Sequence, residues 1–177
     1  MAYEPKIGDV IRYDFLWKEE ERQGRIDGAK DRPCAVVLAS KETEDGSRRL
    51  YLAPITHSPA AISDDSKGVE IPAKVSRHLG LDDEKSWIKT NQLNELIWPK
   101  DQIPVCVVPT KSGAWTYGRL PQDLGKQVYD GVRHHAQAHT IETVKRDLAT
   151  AIEDVKKSRP KRDSLERGKS KDKDIGR

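Results

Sequence analysis

Two short segments of the chain combine buried-strand residues with side chains that can bind an anion. They read Asp31-Arg32-Pro33-Cys34-Ala35-Val36-Val37-Leu38 and Leu50-Tyr51-Leu52-Ala53-Pro54-Ile55-Thr56. If the two strands pair with their outer ends side by side, Arg32 and Thr56 meet at one rim of the sheet. A guanidinium offers a planar fork of N–H donors that suits a phosphate, and a hydroxyl adds one more donor. A structural role also fits, since arginine often ends a strand and threonine favours β structure.

The elements that position these side chains are predicted from hydrophobic periodicity. Apolar runs over residues 34–39 and 50–55 predict two buried strands, and Pro33 is tolerated because a strand can begin with proline. An earlier strand is predicted where Ile11, Tyr13 and Phe15 alternate with more polar residues. This alternation places Arg12 on the exposed face of that strand.

Three blocks occur in an order and spacing that resemble a known family. The blocks are Gly8-Asp9-Val10-Ile11-Arg12-Tyr13-Asp14-Phe15, then Arg32-Pro33-Cys34-Ala35-Val36-Val37-Leu38, then Ala53-Pro54-Ile55-Thr56. They are similar to the Gly-Asp, Arg-Pro and Pro-x-Thr blocks of the MazF/PemK family of toxin ribonucleases. The resemblance extends over residues 6–120, with loose similarity between the blocks.

The resemblance implies a small SH3-like barrel that acts as the toxin of a type II toxin-antitoxin system. Such a protein is a metal-independent endoribonuclease that cleaves single-stranded mRNA through the ribose 2′-hydroxyl and inhibits growth. The implied partners are single-stranded RNA, a cognate antitoxin and a second copy in a homodimer, with no cofactor. Arg32 would stabilise the phosphoryl transition state as the electrophile, also serving as a candidate proton donor, and Thr56 would bind a phosphoryl oxygen.

One segment departs from the family pattern at the proposed general base. Some members carry Arg-x-Asp-Gln, whereas this chain has Lys89-Thr90-Asn91-Gln92, and an asparagine cannot accept the proton. The base would then be His57, whose pKa range suits the task, or a carboxylate among Glu19, Glu20 and Glu21. Successive strand residues face opposite ways, so His57 can join Arg32 only if the strand ends at Thr56.

The predicted site therefore has two groups of residues. The catalytic candidates are Arg32, Thr56 and His57. The candidates for binding substrate are Arg12, Lys30, Ser58, Lys89, Asn91 and Gln92. No metal site is expected, because the cysteines lack nearby ligand partners and the histidines at 134, 135 and 139 lack a flanking glutamate.

Two alternative functions stay open. The missing aspartate favours a barrel of the same ancestry that binds RNA or protein without cutting. The segment Ile71-Pro72-Ala73-Lys74-Val75-Ser76-Arg77-His78-Leu79-Gly80-Leu81 predicts a short helix and is similar to an element of AbrB-type DNA-binding antitoxins. That similarity suggests a DNA-binding regulator.

The remaining pattern predicts a mainly β fold with C-terminal helices: an SH3-like, MazF/PemK-like small β-barrel plus one or two α-helices. Further strands are predicted over residues 87–93, 94–98, 105–108 and 116–120, and a long charged loop over 17–30. Leu124, Val128 and Val132 predict a helix that packs on the barrel. The predicted organisation is a barrel domain over 1–138, an amphipathic helix over 139–157 and a basic disordered tail over 158–177.

The charge distribution and the cysteine content predict the kind of partner and the cellular compartment. The 177 residues carry a net charge of +3, but residues 156–177 alone carry ten Lys and Arg against four Asp and Glu. Residues 156–177 thus have a net charge of +6, which leaves −3 for residues 1–155 and suggests salt-sensitive attraction to nucleic acid. Cys34 and Cys106 lie in apolar runs, typical of buried thiols in a reducing compartment. With no leader-like or membrane-spanning run, a cytoplasmic protein is expected.

Overall fold

The computed structural model describes residues 2–57 and 68–146, and the architecture is mainly β, as predicted. Within these residues there are nine strands and three helices. The strands are β1 (Asp9–Tyr13), β2 (Arg32–Ala39), β3 (Arg48–Thr56), β4 (Val69–Glu70), β5 (Trp87–Ile88), β6 (Gln92–Trp98), β7 (Val107–Val108), β8 (Gly118–Arg119) and β9 (Glu142–Arg146). The helices are α1 (Lys18–Arg22), α2 (Ala73–His78) and α3 (Gln122–Gln137).

All nine described strands belong to one sheet. The central path runs β4-β5-β3-β2-β1-β7, while β6 also pairs with β3 and β8 also pairs with β1. The longest pairings are antiparallel, and β9 joins β6 in parallel. A bulge interrupts the β2–β3 pairing between Val36 and Leu38. The two strands that carry Arg32 and Thr56 therefore lie at the centre of the sheet, where neighbours on both sides fix them.

Each face of the sheet buries its own hydrophobic cluster. Alternate residues of β2 and β3 divide between the clusters, with Ala35 and Ala53 in the first and Cys34 and Leu52 in the second. Helix α3 covers the first cluster with Leu124, Val128 and Val132, as the spacing of four predicts. The sheet is thus buried on both faces.

A buried asparagine explains why the predicted strand boundary near residue 94 is wrong. The two strands expected over 87–93 and 94–98 are instead β5 and β6, which the segment 89–91 separates. Asn94 lies inside β6, fully buried, where its Oδ1 accepts from the Leu16 amide at 2.9 Å and its Nδ2 donates to the Leu16 carbonyl at 2.8 Å. Asn94, whose polarity suggests the end of a strand in the sequence, thus hydrogen-bonds β6 to the segment that follows β1.

The charged segment predicted as a loop over 17–30 contains a short helix, α1. Its first turn holds Glu19, Glu20 and Glu21, which complement the positive end of the helix dipole. The Glu20 carboxylate accepts a hydrogen bond from the Trp17 amide at 3.1 Å, which satisfies a donor at the helix start.

The amphipathic helix predicted over 139–157 is not present in its described part, because Glu142–Arg146 forms strand β9. Pairing with β6 and the β-branched Thr143 and Val144 favour the strand over the helix that the spacing indicates. The Arg146 guanidinium also lies 3.4 Å from the Asp14 carboxylate, which ties β9 to the other end of the chain. The sheet therefore extends past the predicted boundary at 138, while residues 147–157 and the tail over 158–177 lie outside the described residues.

Helix α2 is the short helix predicted within residues 71–81, and it ends before Gly80, whose φ is +67°. Leu79, directly after the helix, belongs to the first cluster, and Val75 on the helix packs against that cluster. In the part of the chain that the structure describes, no helix is long and apolar enough to cross a membrane.

Helix α3 lies in close contact with the segment 89–91 and holds that segment in position. A Cβ added to Gly131 would lie 2.9 Å from Cγ2 and 3.1 Å from Cβ of Thr90. Glycine at this position lets the helix backbone rest against Thr90, and so it sets where the neighbouring Lys89 lies.

We expect Gly131→Ala to lower the free energy of unfolding by about 1 kcal/mol, because the added methyl overpacks against Thr90. Gly125→Ala is the matched control on the same helix, since its Cβ would meet nothing within 4 Å. The control should gain about 0.5–1 kcal/mol from the better helix propensity of alanine. Urea unfolding of both variants measures the difference. Equal stabilisation by the two substitutions would show that Thr90 is not packed tightly against α3.

Candidate functional site

The register of β2 and β3 places Arg32 opposite Thr56. Cys34 pairs with Pro54, and continuing this antiparallel register by two residues along each strand brings Arg32 and Thr56 to facing positions. Both are the terminal residues of their strands. The structure thus brings together the arginine and the threonine that the sequence placed at one rim.

Arg32 lies against an aromatic ring and has no counter-ion among the described residues. Its guanidinium carbon is 4.9 Å from the centroid of the Trp17 ring, a cation–π distance. Its Nε atom is buried and has no hydrogen-bond partner. Among the described residues no carboxylate forms an ion pair with Arg32. The positive charge and one N–H donor are therefore uncompensated.

Lys89 brings a second charge to the same ring. The residue is only 6% exposed, and its Nζ lies 6.0 Å from the Trp17 centroid. Its backbone amide donates to the Pro54 carbonyl at 2.9 Å, which holds Lys89 beside the end of β3. No ion pair to Lys89 exists within residues 2–57 and 68–146, and burial lowers the pKa of its ammonium.

Trp17 is held rigidly enough to act as the platform for both cations. Its ring packs edge-on against Phe15 at a centroid distance of 5.0 Å, and Phe15 belongs to the second hydrophobic cluster. The next residue, Lys18, donates its backbone N–H to Gln92 Oε1 at 3.4 Å. Sequence analysis missed Trp17, although it continues the alternation of Ile11, Tyr13 and Phe15 by one further step.

We call Arg32 and Lys89 the cation pair. Two positive charges near one indole repel each other and lose hydration, and no described carboxylate offsets either cost. Nearby, Asn91 Oδ1 is buried without a hydrogen-bond partner. Uncompensated charge in a partly dry site, with a threonine hydroxyl at its rim, is an arrangement that binds an anion.

His57 does not join the cation pair. It lines a groove of about 430 Å³ together with Pro33 and Ile55. Ile55 belongs to the first cluster, whereas Arg32 lies with Trp17 on the side of the second cluster. The strand does end at Thr56, as a catalytic role for His57 requires, but the histidine stays on the opposite face of the sheet.

The hydrogen bonds of His57 also disfavour it as a general base. Its Nε2 lies 2.7 Å from the Asp82 carboxylate and its Nδ1 lies 3.1 Å from the Lys85 carbonyl. Both ring nitrogens of His57 are therefore engaged with Asp82 and Lys85 and not with Arg32 or Lys89.

The three glutamates proposed as alternative bases are engaged within their own segment. Glu20 accepts from the Trp17 amide and lies 3.4 Å from Arg25, and Glu21 lies 2.8 Å from Lys18. Glu19 lies 3.7 Å from Arg22. None of these three carboxylates forms an ion pair with Arg32 or Lys89.

The other predicted substrate-binding residues divide between several places. Arg12 is paired with Asp31 at 3.5 Å and donates to the Pro109 carbonyl, while Lys30 is exposed. Ser58 lies outside the described residues. Within residues 2–57 and 68–146, no three histidine, cysteine or acidic side chains form a group suited to a metal ion.

Comparison of the chain with known protein families finds no family that matches, and comparison with curated proteins finds no relative.

We expect Lys89→Met to raise the melting temperature by a few degrees at neutral pH, because it removes a buried, unpaired ammonium. Burial lowers the pKa of Lys89 in the folded protein, whereas the unfolded chain titrates near about 10.4. The buried ammonium destabilises the folded protein fully at any pH below the folded-state pKa of Lys89. This destabilisation decreases as the pH rises from there toward the pKa of Lys89 in the unfolded chain. The advantage of Lys89→Met should therefore shrink between neutral pH and about pH 10.4.

Thermal melts of the wild type and the variant across this range measure the effect. Lys74→Met is the matched control, because Lys74 is exposed on α2 and its removal should leave the melting temperature unchanged. A Lys89→Met protein that is less stable than the wild type at neutral pH would contradict the assignment of Lys89 as an uncompensated charge.

Proposed function

We propose that this chain is a MazF/PemK-like toxin endoribonuclease with an SH3-like barrel. In this proposal it cleaves single-stranded RNA without a metal and is the toxin of a type II toxin-antitoxin system. The observation that carries the proposal is the position of Arg32, opposite Thr56 and without an ion pair to any carboxylate of the described residues. These are the two residues onto which the family resemblance carries the catalytic arginine and threonine.

The chemistry follows from where charge develops during cleavage. The 2′-hydroxyl attacks the adjacent phosphorus, and the pentavalent transition state bears more negative charge than the bound phosphodiester. A fixed guanidinium aimed at the non-bridging oxygens stabilises the transition state more than the ground state. The Thr56 hydroxyl supplies a further donor, and Lys89 adds a second positive charge on the same side of the sheet.

The proposed partners rest on the resemblance and on this charge. Single-stranded RNA presents phosphates that match the cation pair. A cognate antitoxin and a homodimer are proposed from the family alone. The barrel is likewise proposed from the resemblance, and the single, mostly antiparallel sheet of the described residues is compatible with it.

A second candidate function is an RNA-binding barrel that does not cut. It is favoured by Asn91, which stands where some family members have an aspartate, and by the hydrogen bonds that commit His57. A DNA-binding role for residues 71–81 has less support, because Leu79 and Val75 pack into the first cluster and are not available to contact DNA.

Arg32→Lys tests the proposal directly. Lysine keeps the charge but loses the planar fork, so cleavage of a mixed-sequence single-stranded RNA should fall by roughly 10²-fold or more while the protein stays folded. Cleavage should persist in the presence of a chelator and yield 2′,3′-cyclic phosphate and 5′-hydroxyl ends.

Arg49→Lys is the matched control, since Arg49 lies near the opposite end of β3, where it pairs with Glu95 at 3.0 Å. It should cleave at the wild-type rate. Wild-type protein that binds the RNA but leaves it intact would favour the non-cutting barrel. Equal cleavage by the wild type and Arg32→Lys would remove Arg32 from the mechanism.

A further inference from the structure

Cleavage through the 2′-hydroxyl needs a group that takes its proton, and no carboxylate of the described residues forms an ion pair with Arg32 or Lys89. This requirement rests on the proposed function. Asn91 cannot accept a proton, and the two ring nitrogens of His57 contact Asp82 and Lys85 on the other face of the sheet. The glutamates of α1 are bound to Lys18, Arg22 and Arg25.

Lys89 is a described group at this site that can exchange a proton. Its Nζ lies over the ring that also carries Arg32, and its backbone is anchored to Pro54, two residues before Thr56. The side chain is almost fully removed from water and no acidic group compensates it. Arg32 cannot take this role, because a guanidinium stays protonated in proteins.

We propose that Lys89 is the general base of this site, accepting the 2′-hydroxyl proton while Arg32 holds the phosphate. Burial favours the neutral amine, which has the lone pair that the task requires. The lysine that replaces the arginine of the family segment then acts as a proton acceptor, which an arginine at this position could not do.

The proposed step balances without any added cofactor. The neutral Lys89 Nζ removes the proton from the 2′-hydroxyl and becomes an ammonium. The 2′-oxygen forms a bond to phosphorus, and the bond from phosphorus to the 5′-oxygen breaks with its electron pair on that oxygen. A water molecule protonates the 5′-oxygen, and Lys89 returns its proton to the resulting hydroxide. The products are a 2′,3′-cyclic phosphate and a 5′-hydroxyl.

The charged groups on the neighbouring elements are consistent with this role. Arg32 on β2 shares the Trp17 ring and brings no negative charge that would hold Lys89 in its protonated form. Glu20 on α1 is bound to the Trp17 amide and Arg25, and Glu142 on β9 is paired with Arg22 at 3.1 Å. Neither carboxylate is therefore free to hold Lys89 in its charged form.

The pH dependence of cleavage by the full chain tests the inference. For the wild type, kcat/KM should rise with pH until Lys89 is neutral and then level off. Lys89→Arg should lower kcat/KM by about 10²-fold or more and remove this rise, because arginine does not deprotonate. Binding of a 2′-deoxy oligonucleotide of the same sequence should stay within a few-fold of the wild type, since the charge is kept.

Lys89→Ala gives a second measurement should the larger arginine disturb folding. Added ethylamine should restore cleavage in proportion to the concentration of its neutral form. Lys74→Arg is the control and should keep both the wild-type rate and the wild-type pH profile, because Lys74 is exposed on α2.

The outcomes separate the two proposals. An active wild type whose rise with pH survives in Lys89→Arg would overturn Lys89 as the base and leave the nuclease proposal standing. Cleavage by Lys89→Ala that does not respond to ethylamine would overturn it as well. A wild type that binds but does not cut RNA at any pH would overturn both.

Discussion

The pairing of β2 with β3 is the constraint on which the candidate site depends. Side chains alternate between the faces of a sheet, so the register that pairs Cys34 with Pro54 decides which face receives each residue of both strands. It sends Arg32 toward Trp17 and Ile55 toward the other cluster. A slip of one residue would move the arginine to the face that holds His57. Because both clusters bury alternate residues of β2 and β3, such a slip would also expose much of the core.

The cation pair lowers the stability of the fold. Cations near a dry indole lose hydration, and the described residues supply no acid to recover that energy at Arg32 or Lys89. The surrounding structure offsets this cost with Asn94, whose amide fixes the Leu16 backbone, and with α3, which rests on Thr90 at Gly131. Stability is therefore concentrated around the site rather than within it, as is common where a binding surface must be ready before its ligand arrives.

Sequence reasoning predicted the mainly β class, the central strands and the meeting of Arg32 with Thr56, because short-range patterns encode all three. It missed features that depend on distant contacts. Trp17 is positioned by ring packing against Phe15 and by the hydrogen bond from the next residue to Gln92. Strand β9 is stabilised by its pairing with β6. His57 follows Thr56 in sequence, yet alternation and an acceptor at each nitrogen separate it from Arg32. These contacts join residues that are distant in sequence, and the hydrophobic periodicity of a short segment does not identify such partners.

The parallel pairing of β9 with β6 has a consequence for the order in which the chain assembles. The Glu142 amide donates to the Asn91 carbonyl at 2.8 Å, and Arg146 reaches Asp14 across 132 positions of sequence. Contacts of such long range require the closure of large loops, which slows folding. The segment that bears Lys89 thus gains its last backbone support only when residue 142 has been synthesised. On the ribosome, the N-terminal strands are complete long before the site that they carry.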